Sequence, residues 1–178
     1  MVSVRGLHAA NLLADGRVLV TGCALPCNSA LAELYDPDTG TFAPADAPST
    51  AGTSTLLDDG RILTTGGNCA NDGSGAAQLY DPILGIFIFT GRIPKSCYDI
   101  NAATLLADGK ILFVGNVEND GLPADAELYD SQTGTFSSLG HTMGPHEFGA
   151  DSFLPDGTVL ITGGQLPGGN GDSTPEIG

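Results

Sequence analysis

One phrase, Asp59-Gly60-Arg61-Ile62-Leu63-Thr64-Thr65-Gly66-Gly67, recurs in near copies at 15–23, 108–116 and 156–164. Each copy joins Asp-Gly, a dipeptide suited to a tight hairpin turn, to a short β-favouring run and then to a stop, glycine in most copies. A chain on that beat folds into successive short antiparallel hairpins. The turn glycines Gly16, Gly60, Gly109 and Gly157 set a unit of about 45 to 50 residues.

A second phrase keeps the same period. Ala32-Glu33-Leu34-Tyr35-Asp36-Pro37 with Thr39-Gly40-Thr41-Phe42 returns as Ala77-Gln78-Leu79-Tyr80-Asp81-Pro82 with Gly85-Ile86-Phe87, and as Ala126-Glu127-Leu128-Tyr129-Asp130-Ser131 with Thr133-Gly134-Thr135-Phe136. First strands are expected at 8–13, 53–57, 102–106 and 150–154, and second strands at 17–21, 61–65, 110–114 and 158–162. A third strand holds the tyrosine and a fourth begins near the phenylalanine, across an Asp-Pro and Thr-Gly turn. Four short strands in a unit of this length describe a propeller blade. The expectation is an all-β chain of four-stranded antiparallel blades, a single segment over 1–178 with units at about 1–45, 46–92, 93–140 and a half unit at 141–178. The Asp-Gly turns and the tyrosine turns then share one face. The loops between strands two and three, and between blades, occupy the other.

Composition narrows the function. Six Lys+Arg against 21 Asp+Glu give a formal charge of -15, which repels phosphate backbones, so nucleic acid is not an expected partner. Most of these carboxylates are read as turn formers, because Asp15, Asp59, Asp108 and Asp156 precede the hairpin glycines and Asp36, Asp81 and Asp130 follow the tyrosines. No window approaches the ~18 to 20 apolar residues of a membrane-spanning helix. Met1-Val2-Ser3-Val4-Arg5 leads straight into repeat sequence with no leader pattern. Four cysteines in a glycine-rich chain point to an oxidising, extracellular or periplasmic setting.

These residues resemble the kelch repeat family, including the propeller of galactose-oxidase-like proteins, in the glycines ending strand two, the tyrosine of strand three and the aromatic of strand four. Cys23 and Asn116 stand where kelch repeats keep a second glycine, and phenylalanine replaces the fourth-strand tryptophan. Such a propeller closes into a ring. Three complete units and two further strands, about three and a half blades, form an open arc, expected either as a piece of a longer propeller or as a subunit that completes its blades between chains.

The resemblance to galactose-oxidase-like enzymes implies copper held by tyrosine and histidine, with a tyrosine crosslinked to cysteine. In Arg5-Gly6-Leu7 the position of a ligand tyrosine is Leu7, and Tyr98 beside Cys97 is the one tyrosine outside the repeat framework. Leucine cannot bind copper. A second cation reading rests on spacing, since Asn116, Glu118, Asp120 and Glu127 match the oxygen ligands of a calcium loop. Glu127 also belongs to the repeat phrase, and strands rather than helices flank it, so framework is the preferred reading.

Of the three pairings open to Cys23, Cys27, Cys69 and Cys97, the simplest joins Cys23 to Cys27 and Cys69 to Cys97, with free thiols and zinc as rivals. His8 is read as a packing residue of strand one. His141 and His146, beside Glu147 and Asp151, are read as loop residues with a metal or acid/base site as the alternative. No phosphate-cradling loop and no nucleophile elbow occurs.

The sequence therefore favours a non-catalytic binding module, without a cofactor, whose loops offer Asn28, Asn68, Asn71, Asp72, Asn116, Glu118, Asp120 and His146 to a protein or carbohydrate ligand. The alternatives are a propeller fragment of a copper oxidase and a self-assembling subunit.

Overall fold

The computed structural model describes residues 5–24, 29–46, 48, 53–66, 75–93, 100–115, 125–142, 150–163 and 176–177. Blade one is β1 (Arg5–Leu12), β2 (Val18–Ala24), β3 (Ser29–Asp36) and β4 (Thr41–Pro44), hydrogen-bonded in chain order. Blade two repeats this with β5 (Ser54–Leu56), β6 (Ile62–Thr65), β7 (Gly75–Asp81) and β8 (Ile86–Ile93). Blade three follows with β9 (Ile100–Leu105), β10 (Ile111–Gly115), β11 (Asp125–Asp130) and β12 (Thr135–His141). The last sheet holds β13 (Ala150–Phe153), β14 (Val159–Thr162) and β15 (Glu176–Ile177). All pairings are antiparallel, and the described residues form no closed ring.

β15 adds to the expected half unit a short strand beyond its first two. Glu176 pairs with Ile161 and Ile177 with Leu160, the register in which Glu33 meets Val20 and Leu34 meets Leu19. The fourth sheet therefore contains the start of a third strand. Glu176-Ile177 does not stand out in the sequence because Gly178 stands where the other units place their tyrosine.

Two local devices build every hairpin. At each Asp-Gly turn the glycine takes a left-handed φ, from 79° at Gly109 to 93° at Gly157, which a Cβ would disfavour. The preceding aspartate Oδ1 accepts the N–H two residues on, at 3.0 Å from Arg17, 2.9 Å from Arg61, and 3.1 Å from both Lys110 and Thr158. At the tyrosine turn, Asp36, Asp81 and Asp130 each accept the amides two and three residues on, as in Ile83 N to Asp81 Oδ1 at 2.8 Å and Leu84 N at 3.1 Å.

The core lies between blades. Ile62 is fully buried with Leu13, Leu19, Ala32 and Tyr80 against blade one, while its neighbour Leu63 is buried with Ile111, Phe113 and Tyr129 against blade three. Both faces of β6 are covered, so the strand reads as a continuous apolar and threonine run rather than an alternation. Leu112 and Val114 meet Val159 and Ile161 at the next seam. At about 1.5 to 3 kcal/mol for each such side chain, these seams hold the arc together.

Candidate functional site

Each tyrosine packs on the phenylalanine opposite it in the same blade, with ring centroids 4.8 Å apart for Tyr35–Phe42, 4.9 Å for Tyr80–Phe87 and 4.7 Å for Tyr129–Phe136. Tyr80 and Tyr129 are fully buried at the seams, where desolvation pushes both phenols above their ordinary value. The repeat tyrosines therefore serve packing, as their place in the repeat implies.

The turn face carries a cleft between blades two and three, about 590 Å³ in volume, with Asp58, Asp108, Lys110 and Asp130 among its lining residues. Arg61 Nε donates to Asp59 Oδ2 at 2.8 Å and its Nη2 stands 2.6 Å from the same oxygen, and Nη2 also reaches Ser131 O at 3.4 Å. One guanidinium thus ties the Asp-Gly turn of blade two to the tyrosine turn of blade three. Burial raises Asp59, but the Arg61 hydrogen bonds and charge outweigh it and hold the carboxyl below its ordinary value. Lys110 does the same for exposed Asp108, with Nζ 2.7 Å from Oδ2. With Asp59 and Asp108 paired and Asp130 Oδ1 taken by its own turn, the cleft presents Asp58 and Asp130 Oδ2, suited to a hydroxylated or cationic ligand, and among the described residues no nucleophile paired with a base.

The cleft confirms that both kinds of turn share one face. The sequence does not announce it, because the cleft forms only where turns distant in sequence meet. The available signal was Asp58, an extra acid before the turn where the other units have Ala14, Ala107 and Pro155. On the innermost strands, Asn11 Nδ2 donates to Ser54 Oγ and Thr104 Oγ1 to Asp151 Oδ2, linking neighbouring blades.

Asn28, Asn68, Asn71, Asp72, Asn116, Glu118, Asp120 and His146 lie outside the described residues, as do Cys27, Cys69, Cys97 and Tyr98. Cys23 lies on β2, opposite Gly6 and Ala30. Glu127, the described member of the calcium candidate, is buried within β11 between Phe113 and Ser138. Two histidine expectations are corrected. His8 is on β1 but exposed, since its side chain falls on the uncovered side of that strand, and His141 ends β12 opposite Asp125 rather than sitting in a loop.

Blades joined by buried seams, each with its strands paired in chain order, define the architecture. These sheets are propeller blades. No protein-family model matches the chain, and no curated protein matches it. Among solved structures the chain is similar to a fungal alcohol oxidase of the AA5 family in complex with copper, with 17% identity and a TM-score of 0.54. The match covers 96% of this chain and 50% of that one, so this chain spans about half the length of the oxidase. At that identity the likeness is one of fold.

Among the described residues no three His, Cys, Asp or Glu side chains come together as ligands, and the Tyr129 hydroxyl bonds to Thr90. Position 7 on β1 is leucine.

Proposed function

We propose that this chain is the propeller portion of a galactose-oxidase-like protein. The observation that carries the reading is the match of 96% of its length to one half of the copper-complexed alcohol oxidase. The kelch-like repeat phrases support it, and the units at about 1–45, 46–92, 93–140 and 141–178 become successive blades. In this reading the seams make a stiff support, and copper ligands belong to loops beyond the described residues or to other parts of the parent protein. The four cysteines favour a location outside the cytoplasm.

The test is copper loading of the folded chain, removal of excess metal, then metal analysis, electron paramagnetic resonance and an alcohol-oxidation assay. One retained copper per chain with turnover supports an oxidase. A folded chain that retains none removes the copper site from this segment's own loops and leaves it to other parts of the parent protein.

The second reading is a non-catalytic module for a protein or carbohydrate ligand, favoured by Leu7 and by the acid-lined cleft between blades two and three. Glycan and peptide arrays test it. Binding that Asp130→Asn and Asp58→Asn abolish supports recognition in the cleft, and binding indifferent to both removes the cleft from the reading.

A further inference from the structure

Blade two breaks the polar pattern of its neighbours along its outer edge. At the tyrosine turn and on β8, Ile83 is 93% exposed, Leu84 63%, Ile86 42%, Ile88 45% and Phe89 56%. Blade three carries Gln132, Thr133, Thr135 and Ser137 at the first four of these positions, and blade one carries Asp38, Thr39, Thr41 and Ala43. The repeat does not demand apolar residues there. Together they expose roughly 500 Å² of apolar surface, split between the two faces of the blade edge, where apolar residues scattered singly would be the ordinary case.

The distribution of the patch selects its occupant. Ile88 pairs with Leu79, which faces blade three, whereas Phe89 pairs with Gln78 on the opposite face, shared with Tyr80 and Phe87 toward blade one. A partner laid on one face would leave the other set in water. β8 is the edge of its sheet, so a second edge drawn alongside covers both. Phe87 N–H already donates to Asp46 Oδ2 at 3.0 Å, so such a contact runs mainly on side chains rather than on a full main-chain ladder.

We infer that this edge is a docking surface for a second copy of the chain, with β8 against β8 antiparallel about a two-fold axis. The edge is self-complementary in charge. Asp46 and Asp81 lie at one end and Arg92, 5.9 Å from the Phe89 ring centroid, at the other, so the two-fold brings each arginine end to the partner's acidic end. The exposed apolar area is a little over half of the ~800 Å² per partner of an ordinary stable interface, so the dimer expected is a weak one. The formal charge of -15 opposes approach at long range, and salt screens it. The inference is independent of the oxidase and ligand-binding readings.

Light scattering from micromolar to millimolar chain at about 0.15 M salt tests it. The mass is expected to rise from one chain to two. Replacing Ile83→Gln, Leu84→Thr, Ile86→Thr and Ile88→Ser installs blade three's residues at matching positions and is expected to weaken the dimer about a hundredfold or more. Ile83→Gln alone, at a site where nothing in the fold depends on the side chain, weakens it several-fold, and Arg92→Glu about tenfold. A wild-type chain that stays monomeric overturns the inference, as does a dimer that Ile83→Gln and the fourfold replacement leave unchanged.

Discussion

The Tyr129 hydroxyl lies 2.6 Å from Thr90 Oγ1 across the seam between blades two and three. At the preceding seam the matching residue is Ala45, packed against the cluster that contains Tyr80, and the buried Tyr80 hydroxyl has no hydrogen-bond partner among the described residues. Two equivalent tyrosines thus differ in one bond. Thr90→Ala leaves the Tyr129 hydroxyl unsatisfied and is expected to cost about 1 to 3 kcal/mol, and Tyr129→Phe about 1 kcal/mol. Tyr80→Phe removes a phenol oxygen that gains nothing from burial, so stability holds or rises. Urea unfolding of the three variants checks the order, and an equal loss for Tyr80→Phe and Tyr129→Phe would falsify the assignment.

The converse change restores the missing bond. Ala45→Thr places a hydroxyl at the position that Thr90 occupies one blade later, and is expected to add about 1 kcal/mol. The gain should vanish when Ala45→Thr is combined with Tyr80→Phe. A double-mutant cycle measures this directly, and additivity of the two changes would rule out the bond.

Acid sensitivity follows from the Asp-Gly turns. Hydrogen bonds from Arg17 hold Asp15 below its ordinary 3.8, and Lys110 and Thr158 do the same for Asp108 and Asp156. Asp59 is also lowered, despite its burial. A carboxyl whose folded value is depressed contributes stability that is complete above the unfolded value and is lost as pH falls through the folded one. The melting temperature is therefore expected to hold from neutral pH down to about 5 and to decline below about 4. Asp59→Asn, which keeps an acceptor for the Arg61 amide but loses the ion pair, should flatten part of that decline. Melting curves across pH settle it, and a chain whose stability rises on acidification would reverse the sign argued here.

The hairpins were legible because their causes are local. Asp-Gly, the aspartate after each tyrosine and the paired Tyr and Phe positions fix turns and register within a few residues, and the four sheets follow. What depends on a neighbouring blade was not legible. Nothing in Ala45 or Thr90 taken alone announces the seam tyrosine beside it, and nothing in Ile86 or Ile88 announces their exposure, which follows from β8 being an edge. His8 was assigned to packing by its strand position, although its side chain turns to solvent. Of the candidate site, the loop residues chosen from sequence lie outside the described part, and the acidic cleft needed two turns distant in sequence to meet.

Gly91 illustrates a constraint that belongs to the seam alone. A Cβ there would stand 3.1 Å from Gly134 O and 3.3 Å from Phe136 Cε2, while its backbone φ lies outside the left-handed range. The demand for glycine thus comes from the turn of blade three pressing on β8, not from chain geometry. Gly91→Ala is expected to cost about 1 to 3 kcal/mol through displacement of that turn and the Phe136 ring. In blade one the matching residue is Asp46, whose side chain reaches Phe87 N, so that seam is built differently. Asp46→Ala should therefore lose about 1 kcal/mol by a different route, the broken hydrogen bond. Chemical denaturation with proton chemical shifts of the Phe136 ring distinguishes the two, since Gly91→Ala must move that ring and Asp46→Ala must not. An undisturbed Phe136 in Gly91→Ala would place blade three further from β8 than the seam described here.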